Sequence, residues 1–120
     1  MDNVILISHS SRWGLSEIKA KEMAVKALKT RGLEEGVELS IAFVGRKRAK
    51  ELNVNYRKMS YIPQVLGFPM SREKDKDGWI RLGDIVICTQ KLKDEAKLFQ
   101  RDIYDILDEW MLHGVDNLLK

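Results

Sequence analysis

The stretch Arg101–Leu119 constrains this chain more than any other. Its apolar residues fall at Ile103, Ile106, Leu107, Trp110, Met111, Gly114 and Leu118. Steps of three and four put them on one side of an α-helix. Asp102, Asp105, Asp108 and Glu109 fall largely off that stripe, where water can solvate them. A stripe this continuous, bearing Trp and Ile, predicts a helix packed into the middle of a domain. His113 lies one turn before the end, and Asn117 follows at i+4 on the same face. By residue type alone, His113 is either a metal ligand or a hydrogen-bonded core histidine. Single histidines beside apolar faces are more often the second.

The remaining 101 residues must supply what that helix packs against. A chain of 120 residues suits one domain, residues 1–120, able to bury roughly two-thirds of its unfolded surface. A hydrophobic share of 44% beside a charged share of 32% predicts a globular chain, not a disordered one. No apolar run approaches the ~20 residues of a membrane span. The start, Met1–Ile7, is acidic and short, unlike a signal peptide. A single cysteine, Cys88, excludes an internal disulfide and suits a reducing, cytoplasmic setting.

Elements read in order from the residue pattern. Val4–Ile7 predicts a first strand. His9-Ser-Ser-Arg12 predicts a turn; its hydroxyls invite a nucleophilic reading, but local sequence supplies no carboxylate partner. Ser16 is placed to cap a helix with Leu15, Ile18, Ala24, Val25, Ala27 and Leu28 inward, closed by Gly32. Val37–Val44 predicts a strand, ended by Gly45. A second helix, about Arg46 to Arg57, turns Ala49 and Leu52 inward, with Tyr56 a candidate for the same face. Pro63 and Pro69 bracket a short strand, Gln64–Phe68. Ser71–Gly78 reads as a mobile charged loop. Leu82–Cys88 predicts a strand, and Thr89–Gln100 a polar helix with Leu92, Ala96 and Phe99 inward. The implied fold class is α+β: a small, mixed four-stranded sheet packed with about four helices, its last two strands antiparallel.

Charge is uneven along the chain. Residues 1 to 99 hold 19 Lys and Arg against 13 Asp and Glu, whereas residues 100 to 120 hold 2 against 5. The excess concentrates in Arg46, Lys47, Arg48, Lys50, Arg57 and Lys58, with Glu51 the one acid among them. Such a cluster beside Tyr56 suits phosphate contact and base stacking, and equally suits a solvated helix face.

Four blocks together resemble the YbeY family of bacterial rRNA maturation endoribonucleases. They are Leu52-Asn53-x-x-Tyr56-Arg57, Val65-Leu-Gly-Phe-Pro69, Gly83-Asp84-Ile85 and His113-Gly114, matching in order and spacing from about Leu39 to Gly114. The resemblance implies a small mixed sheet with helices, single-stranded RNA as substrate, and a place in rRNA processing and ribosome biogenesis. It implies Arg57 as the catalytic arginine. It also implies a zinc ion (Zn2+) held by three histidines, with His113 the first. Three neutral nitrogens leave a fourth position for a water whose pKa falls to ~7. Implied partners are the small ribosomal subunit, one of its proteins and an Era-type GTPase, with no membrane.

The chain departs from the family pattern at the metal ligands. Asn117 stands at the second ligand position, and the third lies past Lys120. Only His9 and His113 are present, so three histidines cannot meet within these residues. Asp116 and Glu109 lie at i+3 and i−4 from His113 and are the nearest acidic substitutes along the helix. Gln64 stands where the family has aspartate, and Gly67 where it has serine. Asp84 reads as structural. Two functions remain for the chain: a metal-dependent endoribonuclease, a hydrolase, with an incomplete metal site, or a non-catalytic RNA-binding assembly factor. The incomplete site also fits a part of a longer protein whose continuation carries the remaining ligand.

Overall fold

The computed structural model describes residues 1–120. Strand β1 (Val4–Ser8) leads through a 3-10 turn at Ser11–Trp13 into helix α1 (Glu17–Thr30). There follow β2 (Val37–Val44), α2 (Arg46–Arg57), β3 (Val65–Pro69), β4 (Ile80–Cys88), α3 (Thr89–Leu98) and α4 (Ile103–Leu118). The strands form one sheet in the order β1-β2-β4-β3. β1 with β2 and β2 with β4 are parallel, whereas β3 and β4 are antiparallel. The mixed α+β architecture is the expected one.

Side chains alternate across a strand, so the central strand β2 divides the molecule into two layers. Val37, Leu39, Ile41 and Phe43 are buried in the main core with residues of α1 and α4. Ala42 and Val44 face the other way and pack on a small second cluster of Leu52, Leu66 and Val86. Only α2 covers that second face, so part of the sheet stays open. Leu6 and Val4 on β1 remain 49% and 38% exposed.

α4 seats as its stripe predicts. Ile106, Leu107, Trp110, Met111, Val115 and Leu118 are buried, and six such side chains contribute on the order of 10 kcal/mol before chain entropy is subtracted. Asp102 caps the helix, accepting from the Tyr104 N–H at 2.8 Å. The approach is close because glycines line it. A Cβ at Gly114 would lie 2.8 Å from Ile85 Cγ2, and one at Gly67 would lie 2.9 Å from the Asn117 Cβ. Gly83 sits where the β2–β4 register shifts, at φ 143°, and a Cβ there would collide with the Phe68 carbonyl oxygen. The shift is a bulge, and it lets Leu82 and Ile85, three residues apart, face the same core.

Four inward assignments fail. Ser16 does cap α1, its Oγ accepting from the Lys19 N–H at 3.1 Å, but Ile18 and Val25 are exposed. The buried ridge is Ala20, Ala24, Ala27 and Leu28, and Ile18 and Val25 lie on the far side of the helix from it. Small alanines let α1 lie close against its neighbours. Phe99 falls just beyond the end of α3, where the chain turns through Gln100 at φ 51°, and is 61% exposed. Tyr56 is exposed and meets only the edge of Phe68, with ring centroids 5.5 Å apart. The charged loop is tied down: Arg81 reaches Asp75 at 2.6 Å, Asp77 at 3.0 Å and Glu38 at 3.2 Å. Those carboxylates hold its guanidinium above the usual arginine pKa, Asp77 contributing most.

Candidate functional site

Where α2 ends, Lys58 takes a left-handed conformation, φ 59°, and turns the chain away. Arg57, the last residue of the helix, is left exposed beside the segment that follows. Asn53, one turn earlier, is fully buried, and its Nδ2 donates to the Tyr61 carbonyl at 2.9 Å. That bond holds the Tyr61–Gln64 segment against α2. The Asn53 Oδ1 is buried without a protein partner. Across the gap stand Lys91 in the first turn of α3 and His113, Asn117 and Lys120 at the end of α4. The result is a recess of about 420 Å³ lined by Arg57, Tyr61, Ile62, Pro63, Gln64, Val65, Lys91, His113, Asn117 and Lys120.

The charge of this recess is one-sided. Three of its ten residues are permanent cations at neutral pH, and none has an acidic side chain. Arg57, Lys91 and Lys120 make no ion pair, whereas Arg31, Arg46, Arg48, Arg81 and Arg101 all do. The acids proposed as substitute ligands are engaged elsewhere. Asp116 takes both hydrogen bonds of Arg31, at 2.5 and 3.0 Å, which draws its carboxyl below the usual range. Glu109 pairs with Arg101. Glu95, which Gln64 Nε2 approaches at 3.5 Å, stands outside the lining.

His113 is exposed and belongs to the recess, not to the core that a lone histidine suggested. The donors present do not fit zinc. They are one imidazole, one carboxamide whose oxygen is a poor zinc ligand, and three cations that oppose a further positive charge. No three His, Cys, Asp or Glu side chains converge anywhere in the chain to hold a metal.

A second, larger concavity of about 1210 Å³ lies on the open face of the sheet. Its floor carries Ser40, Ala42, Val44, Asp84, Val86 and Phe68; its walls are α2 and the turn after β1. His9, Arg12, Arg46, Lys47 and Arg48 stand around it, opposed by Glu51 and Asp84. His9 holds φ 67°, the left-handed region, and Trp13 Nε1 donates to the Phe43 carbonyl at 3.3 Å, fixing the turn as a wall. The Asp84 side chain is exposed and makes no hydrogen bond or ion pair, so a structural role would rest only on its backbone, which pairs with Ser40 and Phe68 in the sheet.

The basic cluster is therefore divided. Arg46, Lys47, Arg48 and Tyr56 line the groove, Arg57 lines the recess, and Lys50 and Lys58 line neither. Arg46 is paired with Asp94, and Arg48 with Glu51 at 3.6 Å. α2 is the shared wall of the two concavities.

This arrangement has relatives. The family profile described as Endoribonuclease YbeY matches residues 9–119. The chain belongs to the YbeY family. An Endoribonuclease YbeY of Thermodesulfovibrio yellowstonii is 35% identical over 81 residues, 68% of this chain and 50% of that protein. The Endoribonuclease YbeY of Aquifex aeolicus is 33% identical over 101 residues, 84% of this chain and 65% of its own length. The chain thus spans between half and two-thirds of these relatives. The solution structure of TM1509 from Thermotoga maritima superposes with a TM-score of 0.63, covering 98% of this chain and 73% of that one. At 23% identity that likeness is one of fold.

Residue patterns missed two parts of the YbeY recess. Lys91 reads as one more charge on a polar helix, and only the packing of α3 beside α4 brings it to His113. Asn53 lay inside the quoted block without a role. Its signal was available: a short amide between Leu52 and Val54, on the helix face that buries Ala49 and Leu52.

Proposed function

We propose that this chain acts on single-stranded RNA in rRNA maturation, as an endoribonuclease of the YbeY type. The observation that supports it is the meeting of an unpaired arginine, Arg57, with His113 and Lys91 in one accessible recess. In this reading Arg57 is the catalytic arginine. Its guanidinium grips a phosphate through parallel N–H donors and stabilises charge on the equatorial oxygens. His113, on the opposite wall, takes or returns a proton at the scissile phosphate. The groove receives the neighbouring strand: Lys47, Arg46 and Arg48 approach phosphates, and Tyr56, with its exposed ring, stacks a base. Lys50 and Lys58, outside both concavities, add only to the field around the helix. The setting is the cytoplasm, and the partners are the small ribosomal subunit, one of its proteins and an Era-type GTPase.

A second reading keeps the RNA and drops the chemistry: a ribosome-assembly factor that binds without cutting. One observation favours it, the lack of any converging set of three ligating side chains. Cleavage of single-stranded RNA by wild type, His113→Ala and Arg57→Ala, with added zinc or manganese and with chelator, separates the two. Cutting by wild type and not by either variant supports the nuclease. Binding without cutting by wild type supports the assembly factor. Neither binding nor cutting refutes both.

A further inference from the structure

We infer that the recess between the end of α2 and the end of α4 is an oxyanion site, seating a phosphoryl group where the YbeY resemblance implies a metal. The inference rests on the RNA reading for its source of phosphate, and on the residues alone for its chemistry. A divalent cation needs anionic or neutral donors that converge, and this lining supplies one imidazole and one carboxamide. A phosphate needs N–H donors and positive charge, and the same lining supplies Arg57, Lys91, Lys120, the Asn117 amide and His113.

The surroundings keep that charge free. Asp116 follows His113 by three residues but is turned to Arg31 on α1, 85 positions away in the chain. Glu109 is turned to Arg101. Both of these α4 acids are thus paired with arginines; Asp116 still acts electrostatically on His113 and Lys120, and Glu95, which Gln64 Nε2 approaches at 3.5 Å, stands just outside the lining. Arg57 retains all five of its donors, in a fork that matches two phosphate oxygens. Lys91 stands in the first turn of α3, where unpaired backbone N–H groups add positive potential and the turn itself holds no acid. Gly67 allows α4 to approach β3 until the Asn117 Cβ lies 2.9 Å from where a Cβ at 67 would be. That approach brings the end of α4 down onto β3, and the Asn117 side chain lines the recess.

The test follows side-chain NMR signals of Arg57 Nε–H, the Asn117 amide and the His113 ring in the full chain with chelator present. The probes are inorganic phosphate, a short single-stranded RNA with a 5′-phosphate, and the same RNA with a 5′-hydroxyl. Zinc alone is added to a separate chelator-free sample. Phosphate should shift all three signals with saturation. Arg57→Ala combined with Lys91→Ala should weaken that binding by about tenfold or more, as expected for lost charge-assisted hydrogen bonds. Lys97→Ala, which removes a like charge outside the lining, should not. Preference for the 5′-phosphate RNA assigns the site to strand ends, and equal shifts by both RNAs assign it to the backbone. If phosphate saturates the recess and neither RNA binds, the oxyanion site stands for free phosphate and the RNA function falls. If RNA binds while all three signals stay silent, the oxyanion site is refuted together with the roles given to Arg57 and His113, and only RNA binding through the groove survives. Stoichiometric zinc shifts at His113 and Asn117, or equal weakening by Lys97→Ala, also overturn it.

Discussion

The groove and the recess share a wall, α2, yet they differ in kind. The groove is broad, floored by the sheet and mixed in charge, with Glu51 and Asp84 set among His9, Arg12, Arg46, Lys47 and Arg48. The recess has about a third of its volume and no acidic side chain. A concavity of mixed charge with aromatic rings on its rim suits a strand that slides or changes sequence. A small one whose charged side chains are all cationic suits a single anionic group held in one place. The difference shows how one helix can serve two tasks: its first turns face the open sheet, and its last residue faces α4.

The largest effect is expected at the β4 bulge, whose loss would disturb groove and recess alike. Gly83→Ala puts a Cβ on a residue at φ 143° and against the Phe68 carbonyl. Strain and collision together should cost roughly 3 kcal/mol or more, read as a fall in the urea midpoint, with groove and recess lost together. An unchanged midpoint would show that the bulge can relax. Asn53→Ala should act on the recess alone. It leaves the Tyr61 carbonyl without its donor, at a cost of about 1–3 kcal/mol, and should speed hydrogen exchange through residues 59–64 while β1 and β2 stay protected.

Smaller effects discriminate the walls. Arg57→Ala should weaken single-stranded RNA binding by about tenfold and reduce the salt slope by about 0.7, one phosphate's share on a single strand. Lys47→Ala should lower the same slope, whereas Arg46→Ala should lower it less, because Asp94 already holds that guanidinium. An equal loss for Arg46 and Lys47 would mean that the Asp94 pair opens when RNA binds. The smallest effect is the pH dependence of the α1–α4 tie. Arg31 depresses the Asp116 pKa in the folded chain, so the pair's contribution is fully present above the ordinary carboxylate value. It is lost as pH falls through the depressed one. Asp116→Asn should therefore lower stability slightly at pH 7, and the gap to wild type should close in acid. A gap of constant size across that range would rule out the ion pair as its source.

Much of the frame was legible from residue order. The stripe from Ile106 to Leu118, the Ser16 cap and the Pro63–Pro69 bracket predicted elements that form where expected, because each depends on neighbours within one or two turns. Periodicity failed at Ile18 and Val25. Apolar character alone could not reveal that the ridge of small alanines, not the larger side chains, would face α4. At the site, Arg57, His113 and Asn117 were legible through their resemblance to a known pattern. Lys91 was not, since nothing near it in the chain marks it.

Which segments are helix and strand, the mixed sheet, the YbeY membership and Asn117 in place of a histidine one turn after His113 can all be read along the chain. Those follow from short-range periodicity and from residue identity. That His113 faces water, that Asp116 and Glu109 are bound to arginines, and that Lys91 and Lys120 join Arg57 emerge only once the helices pack. The physical reason is that a side chain's partner is chosen across the packed interface, where α1 and α4 bring together residues 85 positions apart. The net charge of a recess is set by which acids that packing turns away.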